Sequence, residues 1–463
     1  MKNITKITAA LAALGLVTQA MATDPVVYLT GSSAFRSTVF NALSDNTHGY
    51  PNAVFEAGTV TYGTWGNSSA GSATYMVFHG TLATNGEACY VDCAWSGSEA
   101  GIASASDTTL ENADRNGNPL TLNGSPETWV DYTTATLASG GNVQSGNPGA
   151  NGSPANGAQL EAGSHGADLT QADTSQAVSW TPFVANTSTA LVPYGSEGAV
   201  TFTISRNVNP APDQSWSDCT NVTIPQLYEL ASGGVAPAWF FTGNPNDKDA
   251  VYLVGRNLGS GTRMNFLSGT TFGPHNPVQQ YSIGWGCGDP GDPAQTPTTL
   301  WLTNEDNNGY ESGGSLAKAL ADTGDSDSAG SCQQADPFGN APAGYHWFAL
   351  GYVSPADATS TGNNGGQSTP LYPNTNYWVT VDGVFSDNQN IENGALWFWG
   401  HENLYGKESN SGIQDYAGRA LEKAVIGQMG LSSYGVSPGG HDPGIPYSLM
   451  NVTKAGDTSF PAF

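Results

Sequence analysis

The sequence predicts an α/β fold whose two lobes face a shared cleft, and three observations carry that expectation. Strand-like runs alternate with helical spacing along most of the chain. At two separate points, 26–43 ("VVYLTGSSAFRSTVFNAL") and 249–267 ("DAVYLVGRNLGSGTRMNFL"), a strand-like run enters a Gly/Ser turn and leaves as a helical pattern. A hydrophobic content of 38%, with 12 Trp and 19 Tyr, is enough for two real cores and excludes wholesale disorder.

Taken in order, the chain opens with Lys2 and Lys6, an apolar run at 7–17 too short to span a bilayer, and "AMA" at 20–22. That is the pattern of a cleaved export signal, residues 1–22. The strand at 26–30 then feeds the turn Gly31, Ser32, Ser33, after which Phe35, Val39, Phe40 and Leu43 recur at helical spacing. "AVFEAG", "ATYMVFHG" and "CYVDCAW" continue as strands. Residues 107–165 are so rich in Gly, Asn, Ser and Thr that they read as an inserted surface loop, mobile and dispensable for the core. "GAVTFTISRNV" is β-rich, and "VTIPQLYELASGG" is a helix opened by Thr223 with Pro225 in its first turn. A second polar insertion covers 321–342, and "NGALWFWGHENLYG" reads as packed aromatic helix. The expected organisation is lobe one from 23–199 and 371–463, with lobe two from 200–370.

Charge and cysteine usage narrow the class. Thirteen Lys plus Arg face 39 Asp plus Glu, and loss of Lys2 and Lys6 with the leader would take the net charge from −26 to −28. Such a chain does not bind nucleic acid or anionic lipid nonspecifically. Five cysteines (Cys89, Cys93, Cys219, Cys287, Cys332) in an exported protein lead us to expect disulfides with one thiol left over. "CYVDC" has neither a partner pair nor nearby histidines for a metal. His401 and Glu402 lack the second histidine of a zinc-protease helix, and "NEDNNGYE" has Ser315 where a calcium loop needs its closing glutamate. No metal, cofactor or catalytic triad is expected.

The most informative stretch is "GRNLGSGTR". Gly259 and Gly261 allow a tight turn and close approach of backbone to a ligand, Ser260 and Thr262 add hydroxyls, and Arg256 ends the strand with a guanidinium. Three kinds of donor converging at a helix start suit an oxyanion; a glycine turn before a capped helix has the same local sequence.

The order "TGSSAF", "SGSEAGI", "ADLTQAD", "VGRNLGSGT" resembles the phosphate-binding proteins of bacterial phosphate ABC importers. The similarity runs in order over most of the chain, on short motifs. It implies the two-lobed periplasmic-binding-protein fold of the second type, with two hinge crossings and lobe closure over the ligand. It implies a site of backbone N–H groups at Ala34 and Phe35, the hydroxyl of Ser98, a buried carboxylate at Asp173, and Arg256, Ser260, Gly261 and Thr262. Ala34 stands where the family has a threonine, and Leu258 where it has an acidic partner for the arginine. The expected activity is non-catalytic capture of phosphate or a similar oxyanion by a monomer in the periplasm or secreted, delivering to the membrane subunits of an importer. The alternative is an exported surface or matrix protein that reuses the fold.

Overall fold

Val26–Gly31 is the hub of the larger sheet. It is an apolar run without hydrophobic alternation, as a strand covered on both faces requires, and Val27, Leu29 and Thr30 are fully buried. The computed structural model describes residues 24–106, 110–113, 119–122, 127–176, 178–179, 191–207, 215–247, 249–285, 300–322, 347–354, 357–358, 378–429 and 444–457. The expected export signal and most of the 321–342 insertion lie outside the described residues.

The fold is mixed α/β, with two main sheets. The nine-stranded sheet runs Gly444–Pro446, Leu191–Thr201, Trp399–Lys407, Leu169–Ala172, Val26–Gly31, Ala88–Ala94, Tyr75–Thr81, Thr61–Trp65, Asn142–Gln144. Within it Val26–Gly31 pairs in parallel with both Leu169–Ala172 and Ala88–Ala94. Three carboxyl ends therefore emerge on one edge, the edge where open α/β sheets place ligands. The second sheet orders Thr203–Arg206, Trp347–Val353, Ala250–Val254, Gln280–Trp285, Leu300–Asp306, with Val235–Pro237 also paired to Ala250–Val254. Ala250–Val254 and Trp347–Val353 are parallel neighbours, so their carboxyl ends also emerge together.

The chain passes from the first sheet to the second at Phe202, the residue between Leu191–Thr201 and Thr203–Arg206. Its return leads through Phe398 into Trp399–Lys407. The two passages touch: Phe202 and Phe398 meet edge to face at 4.7 Å, and Ser386 Oγ donates to the Phe202 carbonyl at 2.6 Å. Ile224–Gly233 is the helix that Thr223 and Pro225 predict, closed by a full capping box with Gln226. Among the described residues no helix is long and apolar enough to cross a membrane.

Three expectations are corrected. Trp399–Lys407 is a central strand, not a helix, antiparallel to neighbours on both sides. Its burial on both faces removes the alternation that distinguishes strand from helix. The segment 127–165 is not a dispensable loop, because it contributes Trp129, Val130 and Ala158 to the core. Glu127–Val130 pairs with Leu160–His165, Trp129 is fully buried, and Val130 and Ala158 pack with Trp65 and Val77. Cys89, Cys93 and Cys219 are free, buried thiols, so pairing of all but one cysteine does not hold; Cys287 and Cys332 lie outside the described residues.

The second correction has a measurable consequence. Excising 127–165 strips Trp65 of its cover and of the Asn156 carbonyl that accepts from its indole at 2.9 Å. A loss of about 3–5 kcal/mol for Trp129 alone is expected. The excised chain should show no cooperative thermal unfolding, whereas a merely decorative loop would leave the transition in place.

Candidate functional site

The carboxyl ends described above build one pocket, lined by Ser32, Ser33, Ala34, Gly97, Ser98, Asp173, Arg256, Ser260, Gly261, Thr262 and Asp357. Its empty space, the open mouth included, is only about 230 Å³. The size suits a small ion.

Each wall follows from a local rule. Gly31 has φ 124°, and a side chain there would overlap the Gln171 carbonyl, so the first strand can turn sharply only with glycine. The turn delivers Ser32 to Ala34 to the pocket and starts the helix Arg36–Ser44. Ala88–Ala94 leads through Gly97 into the helix Ser98–Ala105. Ala250–Val254 leads through Arg256 to the helix Gly261–Gly269, whose Ser260 cap accepts from the Arg263 N–H at 3.3 Å. The turns before three helices therefore meet here; the first two helices lack a side-chain cap, although the Glu99 N–H of the second donates to the Gly259 carbonyl at 3.1 Å. Uncapped N-termini leave backbone donors for a ligand, and their dipoles favour negative charge.

Asp173 is the floor. Ser98 Oγ donates to its Oδ1, Thr262 Oγ1 donates to Oδ2 at 3.4 Å, and Asn265 Nδ2 holds its backbone carbonyl at 2.6 Å. Burial raises its pKa, against the opposing pull of the Ser98 hydroxyl and the Arg256 charge. A Cβ on Gly261 would overlap the Asp173 carboxylate and lie 2.7 Å from Ser98 Oγ, so glycine is required at this helix start.

Arg256 is fixed from behind. Its Nε donates to the Tyr310 carbonyl at 3.3 Å and its Nη2 to the Glu311 carbonyl at 3.0 Å, while its own N–H donates to the Tyr352 hydroxyl at 3.0 Å. Burial lowers its pKa, and Asp357, Tyr352 and Asp173 oppose the shift. Arg263 serves the loop rather than the pocket: it is fully buried and donates to the carbonyls of Arg256, at 3.3 Å, and Asn307, at 2.6 Å.

Of the eight residues expected at the site, seven line this pocket: Ala34, Ser98, Asp173, Arg256, Ser260, Gly261 and Thr262. Phe35 does not. It is the residue before the helix Arg36–Ser44, and its ring is buried in the core against Gly444. Ser32, Ser33 and Gly97 were within reach of the sequence, being part of the same turns. Asp357 was not, because it follows Trp347–Val353, the parallel neighbour of the arginine's strand, almost a hundred residues on. It accepts from Ser354 Oγ at 2.8 Å and is the acid facing Arg256, at a place where Leu258 offers none. It also faces Arg36, whose pKa burial pulls down to about 10.

No protein-family model matches the sequence, and no curated protein matches it. The chain is similar in structure to a protein assigned as a phosphate ABC transporter substrate-binding protein from Clostridium perfringens, solved with bound phosphate: 13% identity, TM-score 0.37, 86% of this chain and 92% of that one. It is similar to an ABC-type phosphate transport receptor from Vibrio cholerae at 15% identity and TM-score 0.29, covering 56% of this chain and 74% of the receptor. It is also similar to a possible phosphate binding protein from Planctomyces limnophilus at 11% identity and TM-score 0.30, covering 83% and 82% respectively.

Proposed function

We propose that this protein captures a small protonated oxyanion, phosphate being the best fit, in the pocket between the carboxyl ends of its two sheets, and that it does so without catalysis. The observation that supports this is the convergence itself: the turn Ser32 to Ala34, the uncapped helix start at Ser98, the hydroxyls of Ser98 and Thr262, the Arg256 guanidinium and the acceptor Asp173, around a small space. A carboxylate facing an anion requires a proton between them. Hydrogen phosphate brings one, and sulfate at neutral pH does not, so Asp173 favours the first and repels the second. The Ser98 hydroxyl and the Arg256 charge both favour the ionised form of Asp173 that this discrimination requires, against the burial that raises its pKa.

The wider role we assign is that of an exported solute-binding protein serving an importer, with lobes 23–199 plus 371–463 and 200–370 closing on the ligand. Titration calorimetry of the purified protein tests the pocket directly. Saturable one-to-one binding of phosphate and of arsenate is expected, with sulfate at least about 100-fold weaker, a difference of about 2.7 kcal/mol. Sulfate binding as tight as phosphate would overturn the role of Asp173, and no heat with any of the three would overturn the reading.

A further inference from the structure

Behind the Ser32 wall lies a second group of polar side chains that the pocket does not use. Glu402, on Trp399–Lys407, pairs with Gly198 across the sheet, and the register slips between Ser196 and Gly198, leaving Glu197 as the extra residue of a β-bulge. Bulges re-aim side chains beside functional sites, and here the carboxyl of Glu197 is near enough to that of Glu402 to oppose its charge, with Gln171 on the next strand. All three side chains are 0–1% exposed; Gln171 is the polar side chain beside Glu197, Ser32 the one beside Glu402, and among the described residues no basic side chain is bonded to either glutamate. Ser32, whose N–H donates to the Gln171 carbonyl at 2.8 Å and whose Oγ accepts from the Ala34 N–H at 3.3 Å, stands between this group and the pocket and faces Glu402.

We propose that Glu402 is a proton-holding positioning residue of the anion pocket: neutral, it keeps negative charge out of the wall behind Ser32, and its ionisation weakens anion binding. The proposal rests on the pocket reading above. Two buried, mutually repelling carboxyls are hard to ionise together, because each loses hydration, and the contacts of Gln171 with Glu197 and of Ser32 with Glu402 favour charge less than burial opposes it. The surroundings point the same way. Asp173, from the end of Leu169–Ala172, and Glu197 both oppose a charge on Glu402, and Glu422 of the helix Ile413–Met429 opposes one on Glu197. On its own strand Tyr405 faces Glu402, and from the C-terminal segment Tyr447 faces both glutamates. Nearby positive charge is engaged elsewhere: Lys454 donates to the Trp399 carbonyl at 2.7 Å and faces Asp457, and His401 bonds to Tyr447. Burial raises Glu402 well above the usual carboxylate range. The sign follows: rising pH removes the proton, places a negative charge behind Ser32 and lowers anion affinity.

The test compares the wild type with Glu402→Gln, which keeps the shape and stays neutral. Phosphate affinity is measured for both from pH 5 to 9.5, so that the titration of phosphate itself cancels in the ratio. The two should bind alike at pH 5, and the variant should bind at least tenfold more tightly by pH 9.5. A ratio that stays flat overturns the coupling, as does a folded variant that loses phosphate equally at every pH. Thermal midpoints of the ligand-free proteins over the same range supply a readout independent of the pocket. The wild type should lose stability relative to Glu402→Gln as pH rises, because a proton held only in the folded state is lost there; parallel curves overturn the proton-holding claim. If the wild type binds none of phosphate, arsenate or sulfate, the pocket reading and the coupling fall together, while the midpoints still decide whether Glu402 holds a proton. Should Glu402→Gln not fold, Glu197→Gln takes its place: removing the opposing neighbour should move the alkaline loss of affinity to lower pH, and an unmoved loss counts against the pair.

Discussion

Arg256→Ala should raise the dissociation constant for phosphate by about 30-fold to several thousand-fold, because truncating a buried, hydrogen-bonded charge costs about 2–5 kcal/mol. The guanidinium is held by the carbonyls of Tyr310 and Glu311, so it is already oriented before any ligand arrives. The same two carbonyls lose a donor in the variant, and a modest fall in thermal midpoint should accompany the loss of binding. Calorimetry and thermal unfolding on the same preparation separate the two effects. An affinity within twofold of wild type would remove Arg256 from the site.

Gly261→Ala should damage both binding and stability, although helix propensity alone would favour alanine by up to about 1 kcal/mol. The added Cβ falls on the Asp173 carboxylate. That carboxylate cannot yield freely, being tied to Ser98 and Thr262 and anchored through its backbone carbonyl by Asn265. The helix start must shift instead, at a cost of about 1–3 kcal/mol for overpacking, and its donors leave the pocket. At least a tenfold loss of phosphate affinity with a lower thermal midpoint is expected. A variant that binds normally and unfolds at the wild-type temperature would mean that Asp173 is not part of a rigid floor.

Much of this site was legible in the chain because the signals are local. A strand ending in Gly/Ser and followed by helical spacing places backbone donors at a known point, and "TGSSAF" and "GSGTR" each did so without knowledge of the other. Asp173 was harder to read, since "TQAD" is equally a helix cap; only its place at the end of a third parallel strand sets it in the pocket. Phe35 was expected for its backbone N–H; the pocket lining stops one residue earlier, at Ala34, and the Phe35 ring goes to the core. The aromatic strand Trp399–Lys407 was misread because full burial erases periodicity. Trp129 and Val130 were overlooked because two apolar residues in a polar tract carry no period, yet Val130 joins the cluster around Trp65 and Trp129 the one with Ala94 and Ile102. Asp357, Glu197 and Glu402 depend on strand order and on a bulge, neither of which is written in adjacent residues.

The helix Gly261–Gly269 is buried along all nine of its residues. A helix at a protein surface has its field diluted by water and by mobile counterions, and its influence on a bound ion fades as ionic strength rises. This one is enclosed in protein along its whole length, with its N-terminal end at the pocket, so dissolved ions have little access to the field it directs there. The net charge of −26 on the chain as a whole belongs to the other regime. Added salt therefore relaxes the repulsion that a distant anion meets on approach while leaving its hold in the pocket nearly untouched. A briny medium is no handicap to such a protein, and is a mild advantage.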